Sequence, residues 1–167
     1  NFYHTTFMTA DLKFMFQLIR CFGHLVSRME VILEHNHIDD MKLLDTNFEH
    51  LIFYVKEYCI ESLTEFALLG VALKGSSLHH FVKPFPNVHS VCVQSPVTKT
   101  ISLTKLFPKM RRLTFHCEKM EELLSIRSDL QNLDHLEINT DNVWERWDPL
   151  LQQSVSQLQS LSLSFCA

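Results

Sequence analysis

The stretch FPKMRRLTF, Phe107 to Phe115, sets apolar residues at Met110, Leu113 and Phe115, spaced as apolar, two variable, apolar, one variable, apolar. The same frame recurs at Val26/Met29/Val31, Leu63/Phe66/Leu68, Val88/Val91/Val93, Leu133/Leu136/Ile138 and Leu158/Leu161/Leu163. Its starting positions are 26, 63, 88, 110, 133 and 158, so the steps are 37, 25, 22, 23 and 25 residues. Four of the five fall within about 20–29 residues, a period that marks stacked supersecondary units. One strand and one connector cannot bury an apolar face alone, whereas stacked copies share a continuous core. The frame therefore predicts an α/β solenoid whose parallel strands lie near 28–33, 65–69, 90–94, 112–116, 135–139 and 160–164.

Between the strands the pattern changes period. Asp11 opens a helical run in which Leu12, Met15, Phe16, Ile19 and Phe22 recur at helical spacing, with Gly23 as a left-handed stop. The long first step holds a second helix, with Asp45, Thr46 and Asn47 as N-cap candidates. Phe48, Leu51, Ile52, Val55 and Tyr58 form its apolar face. Later connectors are too short for long helices. Phe-Pro precedes a strand twice, at Phe85-Pro86 and Phe107-Pro108, where proline ends the preceding helix and suits a strand's first residues.

Composition limits the function classes. With 46% hydrophobic and 20% charged residues in 167, the chain is globular and of a length to form one domain, residues 1–167. A net charge of −4 argues against a nucleic-acid surface. Lys13, Arg20 and His24 interrupt the most apolar N-terminal part, so no membrane span is expected. Five widely spaced cysteines do not form a disulfide framework, and no Asn-x-Ser/Thr acceptor occurs; both favour cytoplasm or nucleus. The chain starts at Asn1 and stops just after a strand, which reads as a piece of a longer protein.

The frames FGHLVSRMEV, YCIESLTEFAL, FPNVHSVCV and FPKMRRLTF resemble leucine-rich repeats, and among these the F-box/leucine-rich-repeat proteins of insects. The resemblance covers the chain from about Asp11 onward. It implies about six repeats in a horseshoe-like arc, with parallel strands on the concave face and helices and irregular connectors on the convex face. It also implies substrate recognition within a cullin–RING ubiquitin ligase, with the ligase adaptor held through an upstream F-box that this sequence does not contain. The family motif carries Asn or Cys three residues past the frame. Here Glu34, Val71, Pro96, Glu118, Asp141 and Cys166 stand there, and only Cys166 matches.

Strand alternation assigns the open face. Three columns result: Arg28, Glu65, Ser90, Arg112, His135, Ser160; Glu30, Ala67, Cys92, Thr114, Glu137, Ser162; and Ile32, Leu69, Gln94, His116, Asn139, Ser164. Repeat scaffolds bind partners on such a surface. The residues expected to hold a protein target are Arg28, Glu30, Ile32, Glu65, Leu69, Arg112, Thr114, His116, His135 and Glu137. Ile32 and Leu69 would form an exposed apolar pair. The competing reading pairs Arg28 with Glu65 across strands and covers Ile32 and Leu69 with a neighbouring loop.

Other signals are weaker. His35, His37, Asp39 and Asp40 suggest metal ligands but read better as a polar loop, and His79-His80 and His116-Cys117 fare no better. Trp144 and Trp147 read as an anchor pair or as packing residues. Only three glycines occur, so no phosphate-cradling loop can be built, and no nucleophile–base spacing is present. No catalytic site, cofactor or metal is expected. The alternative to a ligase component is a leucine-rich-repeat scaffold with no ubiquitin connection.

Overall fold

The structure, a computed structural model, describes residues 12–32, 41–69, 83–94, 102–117, 119–140 and 157–165. In chain order the elements are α1 (Leu12–Phe22), a 3-10 turn (Gly23–Leu25), β1 (Arg28–Ile32), α2 (Met41–Tyr58), β2 (Glu65–Leu69) and β3 (Ser90–Gln94). They continue with α3 (Leu103–Leu106), β4 (Arg112–His116), α4 (Met120–Ser125), a 3-10 segment (Arg127–Asn132), β5 (His135–Thr140) and β6 (Ser160–Phe165).

The six strands form one all-parallel sheet in the order β1-β2-β3-β4-β5-β6. Equivalent frame positions lie side by side throughout: Leu113 of β4 stands beside Val91 of β3 and Leu136 of β5, and Phe115 beside Val93 and Ile138. A second row of hydrogen bonds enforces this register just before each strand. The carbonyl of Ser27 accepts from the N–H groups of Thr64 and Glu65, that of Thr64 from His89 and Ser90, and that of His89 from Arg111 and Arg112. The carbonyl of Arg111 then accepts from Asp134 and His135, and that of Asp134 from Gln159 and Ser160. A slip of one residue would break this row and turn every side chain to the wrong face.

The alternation works as hydrophobicity demands. Phe66, Leu68, Val91, Val93, Leu113, Phe115, Leu136 and Ile138 are buried in one core with Met15, Ile19, Leu51, Ile52, Val55, Leu103, Leu106, Leu123, Ile126 and Leu130 of the connectors. Each large side chain fully buried there contributes about 1.5–3 kcal/mol. The two Phe-Pro phenylalanines meet inside: Phe85 and Phe107 stack with centroids 5.7 Å apart, and Phe66 lies 5.7 Å from Phe85 and 5.9 Å from Phe107. Phe107 also ends α3, its N–H bonding back to the Leu103 carbonyl before Pro108 turns the chain.

Two local expectations are corrected. Helix α2 starts at Met41, so Asp45, Thr46 and Asn47 lie inside it and not at its N-terminus. Met41, Lys42, Leu43 and Leu44 are all strong helix formers, and their propensity carries the helix back past the three cap-type residues. Gly23 ends α1, but its backbone is not left-handed. Its role is space: a Cβ there would come within 2.8 Å of both the Cβ and the carbonyl oxygen of Tyr58. The Ser62 hydroxyl lies near both Gly23 and Val26 carbonyls, at 2.8 and 2.9 Å, and ties the α1–β1 link to the chain following α2. Phe16 of α1 stacks on Tyr54 of α2 at 4.7 Å, closing the same junction.

Neighbouring connectors are locked by a buried carboxylate. Asp129, in the 3-10 segment before β5, is 2% exposed. Its Oδ1 accepts from the Ser102 hydroxyl (2.8 Å), the Thr104 hydroxyl (2.8 Å) and the Thr104 N–H (3.0 Å) at the start of α3. A charged acceptor at a helix start suits both the unpaired N–H groups and the helix dipole.

Candidate functional site

The residues that alternate with the core line the sheet's other face. The register sets Arg28, Glu65, Ser90, Arg112, His135 and Ser160 in one line across all six strands. Glu30, Ala67, Cys92, Thr114, Glu137 and Ser162 form the second line. In the third, Ile32 lies beside Leu69, and Gln94, His116, Asn139 and Ser164 run on from β3 to β6.

At the β1–β2 end, Arg28 Nε and Glu65 Oε2 are 3.7 Å apart. The pair is largely in solvent, so it contributes about 0–1 kcal/mol and leaves both groups able to exchange partners. Ile32 is 36% exposed, whereas Leu69 beside it is half-buried and Ala67 is buried. The apolar pair is thus one open side chain on a partly sunken one.

At the centre, Arg112 is exposed and makes no ion pair or side-chain hydrogen bond. Its neighbour Arg111 is anchored instead, through the Asn132 carbonyl at 3.2 Å and Asp134 at 3.9 Å. Beside Arg112, Thr114 donates to Glu137 at 3.3 Å, and the Asn139 amide meets His116 Nε2 at 3.3 Å. Both contacts join β4 to β5. His135, half-buried, stands next to Arg112 in the first line. The centre is therefore two strands of cross-linked polar side chains with one free guanidinium above them.

Cys92 is half-buried in the second line, between Ala67 and Thr114. Burial pushes its thiol up to about 11; Glu30 and Glu137 add to the rise and Arg28 opposes it. The group is a small neutral floor residue at neutral pH, with no activated thiolate for nucleophilic chemistry. Asn139 and Cys92 were both legible as column members, but neither residue type had singled itself out. What distinguishes them is contact with His116 and a central position, which only the register shows.

His35, His37, Asp39 and Asp40, His79 and His80, Trp144 and Trp147 lie outside the described residues, as do Glu34, Val71, Pro96, Glu118, Asp141 and Cys166. Among the described residues no group of three or more His, Cys, Asp or Glu could hold a metal ion, and no helix is long and apolar enough to cross a membrane. No family model, curated protein or solved structure matches this chain.

Proposed function

We propose that this chain is a protein-interaction module, a leucine-rich-repeat arc whose open sheet face holds a protein target. The observation that carries the reading is the unpaired Arg112 at the middle of a six-strand face, with His135 beside it on β5 and His116 further along its own strand. An array of aligned strands presents side chains at fixed spacing, so recognition needs little ordering of the binder. Arginine is a frequent hot-spot residue because its planar fork pairs bidentately with carboxylates. Arg28, Glu30, Ile32, Glu65, Leu69, Thr114 and Glu137 would supply the surrounding contacts.

The resemblance to F-box/leucine-rich-repeat proteins gives this module a setting: in the cytoplasm or nucleus it would position a target for ubiquitin transfer, the chemistry taking place on other subunits. A scaffold with the same binding face and no ligase is the second reading. Affinity capture with the chain, read by mass spectrometry, tests both. The expected result is a target lost when Arg112 and Leu69 are replaced together by Ala, with ligase adaptor subunits present when the full polypeptide is the bait. Unchanged capture by that double variant would sink the face assignment, and consistent absence of adaptor subunits would favour the scaffold.

A further inference from the structure

Several polar pairs on the open face are satisfied within the chain. Arg28 pairs with Glu65, Thr114 donates to Glu137, and the Asn139 amide meets His116. Three neighbours in the first line differ from these. Ser90 of β3, Arg112 of β4 and His135 of β5 stand side by side in register. Among the described residues, none of their side chains has a hydrogen bond or ion pair. The polar groups leading into these strands are engaged elsewhere. His89 Nδ1 lies 3.2 Å from the Asn87 carbonyl, Asn87 bonds the Glu61 carbonyl and Lys109, and Arg111 bonds the Asn132 carbonyl. The bordering carboxylates are held as well: Glu65, beside Ser90, by Arg28; Asp134 by Arg111; and Glu137, two residues beyond His135, by Thr114.

We propose that Ser90, Arg112 and His135 form a subsite for one carboxylate of the target, an aspartate or glutamate side chain; this rests on the open-face reading given under Proposed function. Neighbouring parallel strands lie about 4.8 Å apart, so the three residues span about 10 Å, a width that one anionic group can bridge. Arg112 offers donors only, in a planar fork that matches two carboxylate oxygens, and a hydroxyl and an imidazole stand on either side of it. Ser90 and His135 are half-buried and Arg112 is exposed, so an incoming group meets the guanidinium first and the two shorter side chains below it. Charge selects the carboxylate over a phosphate. A phosphate ester carries about −1.5 to −2 at neutral pH. One guanidinium bordered by Glu65 and Glu137 balances a single negative charge, and those two carboxylates oppose a second.

NMR of the isotope-labelled 167-residue chain tests this with defined probes. The probes are the blocked peptide acetyl-Ala-Ala-Glu-Ala-Ala-amide, the same peptide with Gln in place of Glu, and inorganic phosphate. The expected result is a saturable shift of the Ser90 and Arg112 amides, the Arg112 Nε–H and the His135 ring with the Glu peptide. The Gln peptide should bind about tenfold more weakly or not at all, because charge-assisted hydrogen bonds are the strong ones. Arg112→Gln should remove the response, and Ser90→Ala and His135→Ala should each weaken it by about threefold or more. Unmoved amide signals of the buried Ile52 and Ile126 show that each variant keeps its core, and the two peptides compared on the wild-type chain need no variant at all. Equal response to both peptides, a stronger response to phosphate, or shifts at Arg28, Lys105 and Arg127 as large as those at Arg112 would overturn the proposal. Target capture that is lost in the Arg112 and Leu69 double variant but kept by Arg112→Gln alone would overturn it too, while leaving the open-face reading standing. Unchanged capture by the double variant would sink that reading and this subsite with it.

Discussion

Leu113 and Arg112 are adjacent residues with opposite duties. Leu113 is enclosed between Val91 and Leu136 in the packed face, while Arg112 stands free on the other. Leu113→Ala should cost about 2–5 kcal/mol, the transfer loss plus the cavity left behind. Arg112→Ala should change stability by no more than about 0.5 kcal/mol, as for surface positions generally. Urea titration of the two variants measures the contrast, and a large shift for Arg112→Ala would show that it is structural. At this scale the two faces were legible in the sequence, because period-two alternation within each strand is a local property. The need for glycine at position 23 was not. It arises from the backbone of Tyr58, brought close by helix packing that no local pattern encodes.

Helix α3 has four residues, too few to be stable by propensity, and Asp129 from the following connector holds its first turn. The Ser102 and Thr104 hydroxyls are 2.7 Å apart and can bond each other, so Asp129→Ala would leave one hydroxyl and the Thr104 N–H without an acceptor in a partly buried place. The expected cost is about 1–3 kcal/mol, with faster amide exchange at Thr104, Lys105 and Leu106. Asp129→Asn retains an acceptor oxygen and should lose less. Equal exchange in all three proteins would show that the carboxylate does not hold the helix. Apolar spacing revealed that connectors existed, but not this lock, because Ser102 and Thr104 lie 27 and 25 residues from Asp129. Helix α2 teaches the converse. Cap-type residues suggested a start near Asp45, yet good helix formers on their N-terminal side moved it to Met41.

For the whole molecule, opposing titrations set how stability depends on alkaline pH. Lys56 lies 5.6 Å from the Phe85 ring centroid, and burial, helped by the charge of Lys83, lowers it from 10.5 to about 8. From about pH 8 to 10.5 the unfolded chain therefore binds more protons at this site, and stability rises with pH. Solvent screening at this partly exposed group keeps the gain small. Burial raises Cys59 and Cys92 from 9.0 to about 11 and Cys117 to about 12. Their contribution is fully present below pH 9 and is lost as pH rises through those values. Three thiols outweigh one ammonium, so the urea midpoint should change little from about pH 8 to 9 and fall clearly by about pH 11. A midpoint still rising at about pH 11 would contradict the burial of these thiols. The sheet order was legible at this scale because the frame repeats.

Each strand in this sheet pairs only with the strands immediately before and after it in the chain, 37, 25, 22, 23 and 25 residues away along the first line of the register. Loop-closure entropy grows only as the logarithm of length, about 0.6 kcal/mol per doubling, so these five closures are nearly equal in cost. The sheet can therefore assemble during translation in the order of synthesis: each strand that leaves the ribosome finds its template already formed, and none has to wait for a distant partner.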